Sequence, residues 1–248
     1  MNPGAEHLKD EVHRALELLG NLTKPNPPQN PLGELNPKAI KHCRGIFFFH
    51  TKKVGLALGI KWGAGVLLAH ILDENGRESW SAPVLFKVNE VSLGLLAGVG
   101  NIQTVLILGS EKAVDQFRVG AKKGPVVLGQ DLSLGKSFGF DVIEDANVFA
   151  SRDIISHSLA DGAIVDWSLI GGKISVDKDA NAAIYGKDAD LEKVLGAPSS
   201  THNPPAALKP LYDTLDSIAA DAKEDMRKFN GFGKRWSPDT SEMKAKDA

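Results

Sequence analysis

Two glycine-rich apolar segments constrain this chain of 248 residues more than any other feature. They are Val54–Gly65 and Ser92–Gly100, and both lie within the stretch Cys43–Ser110. Glycine leaves no side chain in a strand, so it marks bulges, sharp bends or the close approach of a second backbone. The neighbouring apolar runs each have the length of one strand: Val66–Leu72, Pro83–Val88 and Val105–Leu108. We therefore predict a curled antiparallel sheet in this part of the chain.

A tight turn is predicted between two of these runs, at Asp73-Glu-Asn-Gly76. Asn-Gly readily adopts the positive φ angles that two-residue hairpin turns need. Trp80 follows the turn, and we expect it to act as a large packing anchor. Nothing in this hairpin indicates catalysis.

Charge and cysteine content exclude several classes of protein. A formal net charge of −2 gives no general basic field to attract nucleic acid or an anionic membrane, so such a contact needs a local basic patch. The single cysteine, Cys43, excludes an internal disulfide and a cysteine zinc cluster, and it suits a reducing compartment. Lysines interrupt the longest apolar region, Ile46–Leu72, so no run approaches the ~20 residues of a membrane-spanning helix. We expect a cytoplasmic protein, at most peripheral to membranes or associated with the cytoskeleton, with no nucleic-acid partner.

Amphipathic helices are predicted at both ends of the chain. Near the N-terminus, Asn2-Pro3 provides a start signal and Gly20-Asn21 a stop signal. The apolar positions between them repeat at helical spacing: Leu8, Val12, Ala15, Leu16 and Leu19. The polar face of this helix is mostly acidic, with Glu6, Asp10, Glu11 and Glu17 predicted to point outward.

The C-terminal helix carries a longer apolar stripe. It consists of Leu208, Leu211, Leu215, Ile218, Ala222 and Phe229. The stripe either docks on the chain's own domain or lies in the groove of a partner protein. In the polar tail that follows, Trp236 stands beside Lys234-Arg235, a pattern that suits an interface. The candidate partner-binding residues are Leu208, Leu211, Leu215, Ile218, Phe229 and Trp236.

Shorter elements fill the interval between the terminal helices. We predict helices over Asn36–His42, Ser110–Phe117 (ending at Gly120), Lys178–Ala183 and Asp188–Leu195, and strands over Val126–Leu134, Asn147–Ser151, Gly162–Leu169 and Lys173–Asp177. The predicted organisation is a helix over residues 1–23, a Pro/Asn-rich connector over 24–36, a main domain over 37–215 and a C-terminal extension over 216–248. The predicted fold class is α+β, an antiparallel curled sheet closed as a barrel or a sandwich, with flanking N- and C-terminal helices.

No known catalytic or metal-binding motif is complete. Gly98-Val-Gly100 lacks the third glycine of a dinucleotide fingerprint, and Gly135-Lys-Ser137 lacks the glycine that a phosphate loop needs at Gln130. The seven histidines have no ligand spacing. Asp177-Lys-Asp179-Ala-Asn181 lacks the distal glutamate of a calcium loop, so we interpret its acids as helix caps. We predict no enzyme, no cofactor and no metal site.

Basic residues are the positive signal for a binding site. Lys38, Lys41 and Arg44 are three residues apart, which places them on one face of the short helix. Converging cations and free backbone N–H groups in glycine loops bind phosphate groups, although a solvated basic face would carry the same residues. The candidate lipid- or anion-binding residues are Lys38, Lys41, Arg44, Lys52, Lys53 and Lys61.

Several short motifs together carry a family resemblance. They include Lys41-His-Cys-Arg-Gly45, Lys61-Trp-Gly-Ala-Gly65, Trp80-Ser-Ala-Pro83, Leu128-Gly129, and Asn181 with Tyr185-Gly186. With this spacing, over roughly residues 5–215, the chain resembles the SYLF domain family. The resemblance implies a non-enzymatic module that binds phosphoinositide membranes and, in some members, actin filaments. It also links an amphipathic N-terminal helix to membrane insertion; the alternative is that this helix packs on the domain.

The chain departs from the family pattern at several positions. Lys61 stands where the family usually has an arginine, so the charge is kept but bidentate pairing is lost. Ile102-Gln103 replaces an acidic pair, and Asp166-Trp167 and Ile170 replace a glycine-rich turn and a glutamate. The Src-homology-3 or zinc-finger domain of many members is missing from this sequence. A rival prediction is therefore a structural subunit of a larger assembly, held by the C-terminal helix and tail.

Overall fold

The helices and strands were located in a computed structural model that describes residues 3–24, 35–72, 77–123, 126–127, 154–162, 173–202 and 206–222. Its α-helices are α1 (Pro3–Leu22), α2 (Pro37–His42), α3 (Glu111–Lys123), α4 (Lys178–Tyr185), α5 (Leu191–Gly196) and α6 (Lys209–Ala220). Its strands are β1 (Gly45–Leu72), β2 (Glu78–Trp80), β3 (Val84–Leu108), β4 (Val126–Val127), β5 (Ile154–Gly162) and β6 (Lys173–Val176).

Two unusually long strands form the centre of the sheet. β1 has 28 residues and β3 has 25, and they pair antiparallel from Gly45 opposite Leu108 to Leu67 opposite Val84. The separate short strands predicted over this stretch are therefore wrong, because they are parts of two continuous strands. β2 pairs with the end of β1, as the predicted hairpin requires, although turn residues 73–76 lie outside the described residues.

β1 doubles back, so that its two halves lie side by side. The backbone N–H of His70 donates to the carbonyl of Arg44 at 2.9 Å. A methyl group built on Gly65 would meet the carbonyl of Phe48, and one built on Gly63 would meet that of His50. β3 follows the same bend on the outside, and its register shifts between Leu56 and Leu58 of β1. The glycines thus mark a bend and a close backbone approach, as predicted.

Helices cover both faces of this sheet. Alternate residues of β1 point to opposite faces. Ile46 and Phe48 pack with α1, α2 and α6, whereas Phe47 and Phe49 pack with α3 and α5. On the second face, the ring centroids of Phe86 and Phe117 lie 5.6 and 5.3 Å from that of Phe47. These ring contacts pack α3 against β1 and β3.

The fold class is confirmed, but the closure of the sheet is not. The ladders are antiparallel, and helices from both ends of the chain pack on the sheet. Among the described residues, no ladder joins β5 to β4 at the two outer edges, so the sheet is open and not a barrel. In the part of the chain that the structure describes, helices cover the faces of the sheet. The domain limits predicted from the sequence, at residues 23, 36 and 215, remain predictions.

Two helices continue past the glycines that were predicted to end them. α1 continues through Gly20 to Leu22, because Leu22 is fully buried and its burial outweighs the roughly 1 kcal/mol that a helical glycine costs. α3 likewise runs past Gly120 to Lys123, beyond its predicted end. The predicted cap at Asp177 is confirmed, since its side chain accepts from the N–H of Ala180 at 3.1 Å. Asn36, the predicted start of α2, also caps its helix by accepting from the N–H of Lys38 at 2.9 Å.

The later strands were predicted less well. β6 matches the prediction over Lys173–Val176, and β4 matches only the start of the strand predicted from Val126. Residues 147–151 and 163–169 lie outside the described residues. β5 (Ile154–Gly162) was missed, because its polar residues hide the alternation; its strand form depends on pairing with β3. The Thr104 and Ser158 hydroxyls, 2.8 Å apart, join the two strands.

His157 on β5 makes the stability of the protein depend on pH. The side chain is buried, and this burial lowers its pKa from 6.5 to about 4. Because the unfolded chain takes up a proton below pH 6.5 and the folded chain does not, protonation favours unfolding. The stabilisation is complete above pH 6.5 and is lost as the pH falls towards 4, by roughly 3 kcal/mol at most.

We expect the non-titrating variant His157→Gln to flatten this pH dependence. Urea unfolding between pH 4 and 7.5 measures it, as the difference in slope between the variant and the wild type. Part of the slope remains, because burial and the neighbouring Lys41 also lower the pKa of His42. Identical slopes in the two proteins would contradict this assignment.

Candidate functional site

Residues from the most specific sequence motif converge on one structural cluster. The indole of Trp80 stacks on the ring of His70 at 4.6 Å, and its Nε1 donates to Asp216 Oδ1 at 3.0 Å. Ser81 Oγ accepts from the N–H of Ala69 at 2.9 Å, and the Tyr212 hydroxyl donates to the Ser81 carbonyl at 2.8 Å. Trp80 is the packing anchor predicted from the sequence, and it ties α6 to the sheet.

The second half of this motif cluster comes from α4. Asn181 is buried; its Oδ1 accepts from the N–H of Leu85 at 3.0 Å, and its Nδ2 donates to the Leu85 carbonyl at 2.8 Å. The Tyr185 hydroxyl donates to the Pro83 carbonyl at 2.6 Å. Burial raises the pKa of both Tyr185 and Tyr212, so both hydroxyls stay protonated donors. These polar groups form hydrogen bonds within the protein, so the motif cluster stabilises the fold.

Of the first group of predicted cations, Lys38 and Lys41 lie on α2, and Arg44 follows the end of this helix by two residues. Burial and then Lys41 lower the pKa of His42, Glu78 acts in the opposite direction, and Lys38 and Arg44 add smaller lowering effects. Positive charge is therefore concentrated at this short helix. Arg44 Nε lies 3.9 Å from Glu111 Oε1, which neutralises part of it.

The second group lies elsewhere on the sheet. Lys52 is exposed and follows Arg44 by eight positions of β1, roughly 26 Å at the usual rise per residue. The backbones of Lys53 and Lys61 lie on β1 opposite Gly100 and Glu90, but their side chains are outside the described part of the structure. The structure thus divides the predicted anion site into an α2 group and a β1 group.

Lys52 borders a cleft of about 450 Å³ between α1 and the sheet. The cleft is lined by His7, Asp10, Glu11, Arg14, His50, Lys52, Trp62, Gly63, Ala64, Lys87, Asn89 and Asp177. Glu11 is buried, with its Oε2 3.1 Å from His50 Nδ1, and Lys87 Nζ lies 3.0 Å from Asp177 Oδ1. Much of the lining charge is therefore paired.

Sequence reasoning missed two residues of this cleft. Glu11 was predicted to point outward, but it turns inward because His50 lies beneath α1. Trp62 was quoted only as part of a motif, yet 43% of its surface is exposed at the mouth of the cleft. The position of Trp62 beside Lys61 in a glycine-rich strand was the available signal.

Comparison with protein families identifies the chain's relatives. The model of the family described as "Ysc84: Las17-binding protein actin regulator" matches residues 89–218, just over half of the chain. The chain belongs to the Ysc84 family. This confirms the SYLF resemblance inferred from the motifs.

Members of the Ysc84 family from yeast to vertebrates align over most of this chain. Protein YSC84 of Saccharomyces cerevisiae is 28% identical over 223 residues, which are 88% of this chain and 45% of that protein. SH3 domain-containing YSC84-like protein 1 is 27% identical in Xenopus laevis over 88% of this chain and 62% of the relative, and 24% identical in Homo sapiens over 92% and 64%. The chain thus spans between about half and two thirds of the length of these relatives. No solved structure matches it.

The C-terminal stripe of this Ysc84-family chain is largely occupied by its own domain. Leu208, Leu211 and Leu215 are fully buried in the core under α1 and α2, and Ile218 is partly buried against it. Phe229 and Trp236 lie outside the described residues. The buried leucines show that α6 docks on the sheet, which was one of the two alternatives for this helix.

The described residues contain neither a metal-binding cluster nor a membrane-spanning helix. No group of three or more His, Cys, Asp or Glu side chains there could hold a metal ion. In the same part of the chain, no helix is both long enough and apolar enough to cross a membrane. The apolar face of α1 is buried against the sheet, with Leu8, Leu19 and Leu22 fully covered.

Proposed function

We propose that this chain is a non-catalytic binding module associated with the actin cytoskeleton. One observation carries the proposal: the match to a family described as an actin regulator, over residues 89–218. The buried, hydrogen-bonded motif cluster is consistent with it, because Trp80, Ser81, Asn181 and Tyr185 support the fold. Protein YSC84 and its vertebrate namesakes are about 23–28% identical to this chain, close enough to motivate a direct test.

Co-sedimentation with actin filaments tests this proposal. We expect the purified chain to pellet with filaments, in an amount that saturates as filament concentration rises. A sample without actin, centrifuged in parallel, controls for self-aggregation. If the chain stays in the supernatant at every filament concentration, direct filament binding is ruled out for this chain.

The finer proposal is that the module also binds anionic phosphoinositide membranes. Lys38, Lys41 and Arg44 support it, because they raise the local positive potential around α2. Lys52 adds a second exposed cation on β1. An anionic headgroup gains about 1 kcal/mol from each lysine or arginine near the membrane surface, and this gain is lost at high salt. The proposed anion-binding set is Lys38, Lys41, Arg44, Lys52, Lys53 and Lys61.

Charge reversal on α2 tests the membrane proposal. The double variant Lys38→Glu/Lys41→Glu is expected to weaken binding to phosphoinositide-containing vesicles by roughly 30-fold or more, because two favourable charges are lost. The matched control, Lys187→Glu/Lys193→Glu, changes the net charge equally at two exposed lysines near α5. Equal binding by both double variants would show that α2 is not the headgroup site.

A further inference from the structure

Only two large hydrophobic side chains are strongly exposed in the described part of the protein, and both lie at the same strand bend. Val54 is 44% exposed and Trp62 is 43% exposed. They are the two ends of the β1 segment 54–62, which bends back on itself beside β3 residues 89–99. We call this paired segment the arch.

Val54 and Trp62 belong to the face of the sheet that α1 covers. Ile46 and Phe48, at alternate positions of the same strand, are buried beneath the helices. The cover ends at His50, which pairs with Glu11 of α1, and the next position of the alternation is the exposed Lys52. On the second half of β1, the same face runs from the buried Val66 through the half-buried Ala64 to the exposed Trp62, so apolar surface emerges at the arch there.

The arch is apolar in sequence and basic at its base. Strand positions 55–60 read Gly-Leu-Ala-Leu-Gly-Ile, and positions 91–99 of β3 read Val-Ser-Leu-Gly-Leu-Leu-Ala-Gly-Val. β1 carries three lysines, at 52, 53 and 61, and no acidic residue. Of the acidic residues in the cleft beside this base, Asp177 pairs with Lys87 and Glu11 pairs with His50, whereas Asp10 is exposed. Glu90 stands opposite Lys61 in the register.

We propose that the arch is the element that enters an anionic bilayer, with Trp62 and Val54 at the level of the headgroups. This inference rests on the proposed membrane binding and deepens it by naming the contacting element. Aromatic and basic residues around an apolar segment are the composition that favours the membrane interface.

A fluorescent probe at residue 54 tests the insertion directly. The buried Cys43 is first replaced by serine; Val54→Cys is then labelled with an environment-sensitive dye, and Lys193→Cys provides the matched control. The vesicles contain phosphatidylcholine, phosphatidylserine and phosphoinositide. We expect a blue shift and protection from an aqueous quencher at residue 54 and not at residue 193.

The outcomes separate this inference from the membrane proposal. If the labelled protein sediments with vesicles while the probe at 54 stays open to the quencher, the arch is not the inserted element and membrane binding stands. If the protein does not sediment with vesicles at all, both are overturned.

Substitution of Trp62 provides a second readout. Trp62→Ala is expected to weaken vesicle binding by roughly tenfold or more, because a large apolar surface leaves the interface, and Trp62→Phe is expected to restore most of it. Circular dichroism checks that both variants fold. Unchanged vesicle binding by folded Trp62→Ala would overturn the proposal.

Discussion

Asn181→Ala is expected to lower the free energy of unfolding by about 2–4 kcal/mol. Asn181 is 1% exposed and bridges α4 to Leu85 of β3 by two side-chain hydrogen bonds, at 3.0 and 2.8 Å, and a third, at 2.8 Å, joins its Nδ2 to the carbonyl of the cap residue Asp177. Alanine would leave the N–H of Leu85 without a partner inside the protein. The two carbonyls involved each keep another donor, Asp177 N for Leu85 and Asn181 N for Asp177, which limits the loss.

Urea unfolding at neutral pH measures this effect. Asn101→Ala is a suitable control, because Asn101 is exposed on β3, and we expect a change within about 0.5 kcal/mol there. Asn181→Asp keeps an acceptor for the Leu85 N–H but loses both donated bonds, so it should also destabilise the protein. A loss below about 1 kcal/mol for Asn181→Ala would mean that the bridge contributes little.

Local signals in the sequence predicted the starts of helices better than their ends. Asp177 caps α4 as expected and Asn36 caps α2 at its predicted start, because an N-cap depends only on residues two or three positions away. The 28-residue length of β1 could not be predicted in this way. A glycine within an apolar run is compatible with a strand end or with a bend in a continuing strand, and the choice depends on a distant partner.

The cleft under α1 could not be predicted for the same reason. His50 and Glu11 are 39 positions apart, and helical periodicity assigns a glutamate to the solvent side by default. Burial of Glu11 becomes favourable only when a polar partner such as His50 lies beneath the helix. β5 likewise becomes a strand through pairing with β3, which its own sequence does not specify.

The buried family motif residues lie apart from the candidate binding surfaces. Trp80, Ser81, Asn181 and Tyr185 hold α4 and α6 against the sheet. The arch and the α2 cations lie outside this cluster. These four residues mark the family through packing, whereas Lys41, Arg44, Lys61 and Trp62 belong both to the family motifs and to the candidate binding surfaces.

Gly63→Ala is expected to destabilise the protein by about 3 kcal/mol or more, at the upper end of the range for overpacking. A methyl group at Gly63 would overlap the backbone carbonyl of His50, where the two halves of β1 approach. A backbone group cannot swing aside as a flexible side chain can, so relief requires the halves of β1 to separate. Separation would also disturb the cleft, because both residues line it.

Gly20→Ala is the matched control for this substitution. Gly20 lies within α1 and has no neighbour within 4 Å of an added methyl group, so alanine should stabilise the helix by about 0.5–1 kcal/mol. Thermal and urea unfolding of the two variants compare the same chemical change at a crowded and at an open glycine. If Gly63→Ala proved as stable as Gly20→Ala, the halves of β1 could not lie side by side, and the bend that exposes Val54 and Trp62 would lose its structural basis.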